Sequence, residues 1–257
     1  MTLFTERLNG FRPMDTPKRK IALVAALERE VWPLVKQWSA SEREFDGRQF
    51  RFFENARAVL VCGGIGAEAA RRATEAIIRL YQPVAVESVG FAGALDSRLE
   101  VGTVIGVKRV IDAKDGSTAE APIGYWTLVS SESTAGVEQK KKLALAYGAH
   151  AVDMESAAVA RAAQCHGIPF LALKVISDAH DFEMPPVDRF VSHDGRFRTG
   201  RFLLFALLRP WWWLRVVRLA RNSNKAAKAL CRWLDQYNHE VQISELGPSL
   251  HLTTVSH

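Results

Sequence analysis

One stretch constrains this chain more than any other: residues 151–178, AVDMESAAVARAAQCHGIPFLALKVISD. The small-residue run from Glu155 to His166 predicts a closely packed helix, and Gly167 is placed to end it. Ile168 to Ile176 is apolar except for Pro169 and Lys174, as suits a strand buried on both faces. Ser177 and Asp178 then fall at the carboxyl end of that strand, where open α/β sheets hold their ligands. A helix starting at Glu155 and a strand ending at Asp178 can therefore face one pocket. Each acid also has an ordinary explanation: the helix macrodipole favours a Glu in the first turn, and Asp is a common turn residue.

Composition narrows the class. The chain has 257 residues, 48% hydrophobic and 24% charged, enough for one sizeable α/β domain with a full core. Cys62, Cys165 and Cys231 are odd in number and widely spaced. They make neither a disulfide framework nor a metal-ligand cluster, which points to a reducing, cytoplasmic setting and to no metal. The N-terminus carries no apolar signal core, and no apolar run approaches the roughly 20 residues that span a bilayer.

The rest of the chain reads in order. Residues 1–19 form a loose leader, with Met1 and Met14 both open as the start. Ile21 to Ala26 predicts a buried strand. Glu28 and Glu30 follow at the start of a helix running to about Trp38, again an ordinary place for acids. Arg51 to Asn55 and Ala58 to Cys62 predict two strands. The glycines at 63, 64 and 66 lead into a helix from Ala67 to Leu80; the turn lacks the lysine of a P-loop, so it is weak evidence for a phosphate site. Val84 to Gly90 predicts a strand, followed by a small-residue turn, Phe91 to Leu95. Val101 to Ile111 and Leu128 to Ser131 predict further strands, and Val137 to Ala146 a helix.

Together these motifs resemble the nucleoside phosphorylase and nucleosidase superfamily, and in particular the methylthioadenosine/S-adenosylhomocysteine nucleosidases. The resemblance covers Ile21 to Asp178, and Asp153 to Asp178 carries it best. It implies an α/β fold of three layers, α/β/α, phosphorylase/hydrolase-like, around a mixed sheet, with no metal or other cofactor and commonly a homo-oligomer. It implies an enzyme that cleaves the N-glycosidic bond of a purine nucleoside. In that reading Asp178 is the general acid at the departing base and Ser177 orients it. Glu155 holds the ribose hydroxyls, Met154 packs on the sugar, and Glu30 handles the attacking water. Gly93 lets the backbone approach base and ribose. Lys174 stands where relatives often have Arg, either steadying Glu30 or meeting an anion. Phe91 departs from the family's Ser or Thr. The middle region, 112–149, is shorter than in most relatives, and its base-contacting residues stay unassigned. An acidic turn at Glu28–Glu30 favours water over phosphate as nucleophile.

The C-terminal part departs from this pattern. The segment from Arg196 to Arg232 holds eight Arg, two Lys and no acid, a local charge of +10 against +6 for the whole chain. It begins a basic, Trp-rich helical extension, residues 196–240, beyond a catalytic domain of residues 20–195, with a tail at 241–257 that reads as unstructured. Pro210 can open a helix, and Trp211–Trp213 beside Arg215, Arg218 and Arg221 suits an anionic membrane surface. The alternative is packing of the tryptophans on the domain or on a second subunit. The segment is too apolar for a nucleic-acid face. Its GRF, LLRP and RLARN pieces resemble the hopanoid-associated phosphorylases, which implies phosphorolysis of a lipid-linked adenosine at the inner face of a membrane. A third expectation is a degenerate fold that only binds a membrane surface.

Overall fold

The computed structural model describes residues 20–192 and 194–244. The leader and the end of the tail, residues 245–257, lie outside them. In chain order the elements are β1 (Ile21–Ala25), α1 (Glu28–Val35), β2 (Ser39–Phe45), β3 (Arg48–Glu54) and β4 (Ala58–Cys62). Then come α2 (Ala67–Tyr81), β5 (Ala85–Ala94), β6 (Val104–Asp112), β7 (Thr118–Glu120), β8 (Trp126–Ser130) and α3 (Val137–Tyr147). The last described elements are β9 (Ala151–Asp153), α4 (Ser156–Cys165), β10 (Phe170–Asp178), α5 (Thr199–Leu207) and α6 (Trp213–Ser244).

The ten strands among the described residues form one mixed sheet. Its order is β10-β6-β8-β9-β5-β1-β4-β3-β2, with β7 beside β6. β5 also pairs with β10, so the run from β10 to β5 closes on itself. β1, β4, β5 and β10 are mutually parallel where they pair, which brings their carboxyl ends to one side. Helices α2 and α4 pack together on one face, where Ala73, Ile77, Val159 and Ala163 join the core. Helices α1 and α6 cover the other face, so the fold is the three-layer α/β/α arrangement with extra C-terminal helices.

Four sequence expectations change. Phe91–Ala94 is strand, not turn: Gly93 and Ala94 pair with Val152 and Ala151 of β9, and small side chains let β5 run on between two partners. Helix α1 stops at Val35, and the next residues form β2, a mostly exposed hairpin strand against β3. The three-residue β7 is likewise additional. Helix α6 runs on to Ser244, so the described part of the tail, residues 241–244, is helical.

Candidate active site

The carboxyl ends of β1, β5 and β10 surround a cavity of about 420 Å³. Glu30, Phe91, Gly93, Met154, Glu155, Lys174, Ser177 and Asp178 all line it. One carboxylate enters from each of three directions.

Glu30 comes from the first turn of α1. Its Oε2 is buried and has no hydrogen-bond partner among the described residues. Burial pushes its carboxyl up to about 8, helped by the Glu155 charge and opposed by Lys174, Arg29 and the Phe91 backbone amide. Gly90 makes room for it: a Cβ there would lie 2.7 Å from Glu30 Oε2. The Phe91 ring packs with the cluster formed by α1, β10 and α6, and its backbone N–H serves Glu30.

Glu155 sits at the N-terminal boundary of α4 but does not cap it. Its carboxylate turns away to accept from Gly66 N–H at 2.8 Å and Met154 N–H at 3.2 Å. The glycine turn before α2 thus reaches the site through one amide. Burial raises the Glu155 carboxyl, and the nearby Asp153 charge adds to the rise. Asp153, unassigned from the sequence, holds the α4 terminus instead: its Oδ2 accepts from Ser156 N–H at 3.0 Å and from Ser156 Oγ. Lys174 Nζ stands 3.0 Å from Asp153 Oδ2 and donates to Ser88 Oγ at 2.9 Å. Its direct partner is therefore Asp153, while its charge still acts on Glu30 from farther off.

Asp178 ends β10. Ser177 Oγ donates to its Oδ1 at 2.7 Å, and Lys140 of α3 donates to its Oδ2. Lys140 also donates to Ala179 O at 2.7 Å and is 2% exposed. Gly93 permits this pairing, since a Cβ there would lie 2.9 Å from Asp178 Oδ2 and 3.3 Å from Lys140 Cε. Lys140 escaped the sequence reading because it heads a run of three lysines, which looks like a solvated helix face. The available signal was its position on the helix: of Lys140, Lys141 and Lys142, only Lys140 lies with Leu143 on the buried side.

Helix α6 closes the cavity. Val216, Leu219 and Ala220 line it from one helical face. Farther along, Ala226, Leu230 and Leu234 are buried against α1 and the sheet, and the Cys231 thiol donates to Glu30 O at 3.7 Å.

Such a protein is an α/β ligand binder with its buried acids gathered at the carboxyl ends of parallel strands. Its sequence places it further. The chain belongs to the phosphorylase superfamily, whose family model matches residues 20–125 and 125–197. It is 28% identical over 196 residues to the 5′-methylthioadenosine/S-adenosylhomocysteine nucleosidase of Halalkalibacterium halodurans, covering 62% of this chain and 85% of that protein. The nucleosidase of the same description from Staphylococcus aureus (strain JH9) is 26% identical over 197 residues, covering 62% and 86%. Among solved structures, futalosine hydrolase of Helicobacter pylori superimposes with a TM-score of 0.59 at 19% identity, covering 85% of this chain and 98% of that one. The Neisseria meningitidis 5′-methylthioadenosine/S-adenosylhomocysteine nucleosidase, in complex with methylthio-immucillin-A, gives 0.61 at 19% identity, covering 84% and 96%. Residues 198–244 lie beyond the family match.

Proposed function

We propose that this chain hydrolyses the N-glycosidic bond of a 5′-substituted adenine nucleoside, with water as nucleophile. The chain is an enzyme of the nucleoside-cleaving kind, and its curated relatives are nucleosidases. The observation that carries the choice of water is the unpartnered Glu30 Oε2, a buried acceptor opening on the cavity. As the bond to the base breaks, positive charge grows on the ribose and negative charge on the base. Glu155 accepts from the ribose hydroxyls and its charge favours the cationic sugar. Asp178 and Ser177 serve the departing base, and Glu30 takes a proton from water. Met154 packs on the sugar.

Phosphorolysis is the second reading, and a second cavity beside the glycine turn supports it, with Arg29, Arg48, Arg51 and Arg196 in its walls. Those cations are engaged already. Arg48 donates to Gly63 O and Asp194 O, Arg51 pairs with Glu28, Arg196 pairs with Asp194, and Arg29 lies over Phe197. Glu28 and Glu30 beside them oppose an anion, which favours water.

The substrate's 5′ substituent belongs to the same proposal. A lipid-linked, hopanoid-like adenosine is supported by α6 walling the cavity while its start, the end of α5 and the link between them leave Leu207, Leu208, Trp211 and Leu214 exposed. No described helix is long and apolar enough to cross a membrane, so contact would be with a surface. The homo-oligomer and a cytoplasmic setting, peripheral on the inner membrane face, are part of this reading; sedimentation velocity tests the first and cell fractionation the second. Adenine release from a panel of 5′-substituted adenosines, one of them lipid-linked, tests the whole. Release from at least one is expected, whereas folded protein that releases none would support the class that only binds.

A further inference from the structure

Asp178 faces a difficulty as a proton donor. Its Oδ1 accepts from Ser177 Oγ and its Oδ2 from the Lys140 ammonium. Both carboxylate oxygens thus act as acceptors, and Lys140 is the cation beside them. The pair is almost wholly enclosed, with side chains 2% and 3% exposed. Enclosed ion pairs contribute little net stability, because desolvation offsets their attraction. Here the fold accommodates one at the wall of the cavity, with a glycine at position 93 to make space.

We propose that Lys140 supplies the proton taken up by the departing base and passes it through Asp178. Lys140 is thus a positioning and proton-supplying residue behind the acid, and the inference rests on the hydrolytic reading above. As the C1′–N bond breaks, its electron pair goes to the base. Lys140 Nζ gives one proton to Asp178 Oδ2, leaving a neutral amine, and a base nitrogen takes that same proton from the carboxyl. Water oxygen bonds C1′ and its proton goes to Glu30. The Lys140 proton ends on the base and a water proton on Glu30, so Lys140 is one proton short and Glu30 holds one extra until exchange with solvent restores both. The remaining acceptor on Lys140, Ala179 O at 2.7 Å, keeps the amine in place through the cycle.

The competing role is static: a cation that only holds Asp178 in position. Two substrates separate the roles, an adenine nucleoside such as 5′-methylthioadenosine and 4-nitrophenyl riboside, whose leaving group needs no proton. For Lys140→Gln, kcat for the adenine nucleoside is expected to fall by about 10²-fold or more, the range of general acid catalysis. Turnover of the nitrophenyl riboside stays near that of the unmodified protein. Lys140→Arg keeps the charge, but a guanidinium does not release its proton, so it is expected not to restore adenine release. The inference is overturned if Lys140→Gln releases adenine normally, if it loses both substrates alike, or if Lys140→Arg restores adenine release. Unmodified protein that cleaves neither substrate would contradict the nucleosidase reading itself, which is a distinct result.

Discussion

At the scale of single residues, the role proposed for Glu30 predicts a pH dependence. Its carboxyl is raised from 4.5 to about 8, chiefly by burial. Below about 8 the folded protein holds the proton, and only the ionised form accepts one from water. The kcat/KM of the free enzyme is therefore expected to climb as pH approaches 8, and Glu30→Gln should abolish both the climb and most of the activity. The same shift has a stability consequence of fixed sign. Between about 4.5 and 8 the unfolded chain has released this proton and the folded chain has not, so Glu30 makes stability fall as pH rises through that window. Thermal melts across it should show the fall, less steeply in Glu30→Gln. Gly90 is the second residue-scale test. Its φ of +142° disfavours a side chain, and an added Cβ would meet Glu30 Oε2. Gly90→Ala is expected to cost about 10²-fold in kcat/KM, as a misplacement of about 1 Å can. Normal turnover in that variant would show that the position of Glu30 is unimportant.

At the scale of elements, α6 is both cover and support. Leu230 is fully buried on it, and Leu230→Ala is expected to cost about 2–5 kcal/mol. If α6 walls the site as the geometry shows, that variant should also raise KM, which kinetics on the still-folded fraction would read. Elements with an enclosed apolar pattern were legible in the sequence: β1, α2, α4 and β10 lie within a few residues of expectation. β2 was not, because SASEREF lies mostly exposed at the sheet edge and carries no hydrophobic alternation. The end of β5 was hidden for a different reason: Ala92, Gly93 and Ala94 have turn-like composition, yet pairing with β9 and β10 keeps them extended. The acids of the site were visible because they punctuate strands and helices. Asp153 and Lys140 were not, since their significance comes from partners 21 and 38 positions away, Lys174 and Asp178.

At the scale of the whole molecule, the basic segment and the cavity are one structure. One face of α6 lines the cavity, while Arg215, Arg218 and Arg221 are exposed near Trp211 and Leu214. Arg215 lies over the Trp212 ring of its own segment, and Arg218 over Phe182 of the chain that follows β10. Each basic residue engaging an anionic leaflet contributes about 1 kcal/mol, so docking by this face is expected to be reversible and to weaken as salt rises. Sedimentation with anionic liposomes should capture the protein at low salt, and the triple change to Gln at 215, 218 and 221 should release it. Protein that ignores such liposomes would remove the main support for a lipid-linked substrate. The central claim, that water is the nucleophile in this cavity, is tested most directly by turnover of an adenine nucleoside in ¹⁸O-water with and without phosphate. The account predicts adenine and free ribose labelled at C1, at a rate indifferent to phosphate. Strict dependence on phosphate, with unlabelled ribose 1-phosphate as product, would contradict it.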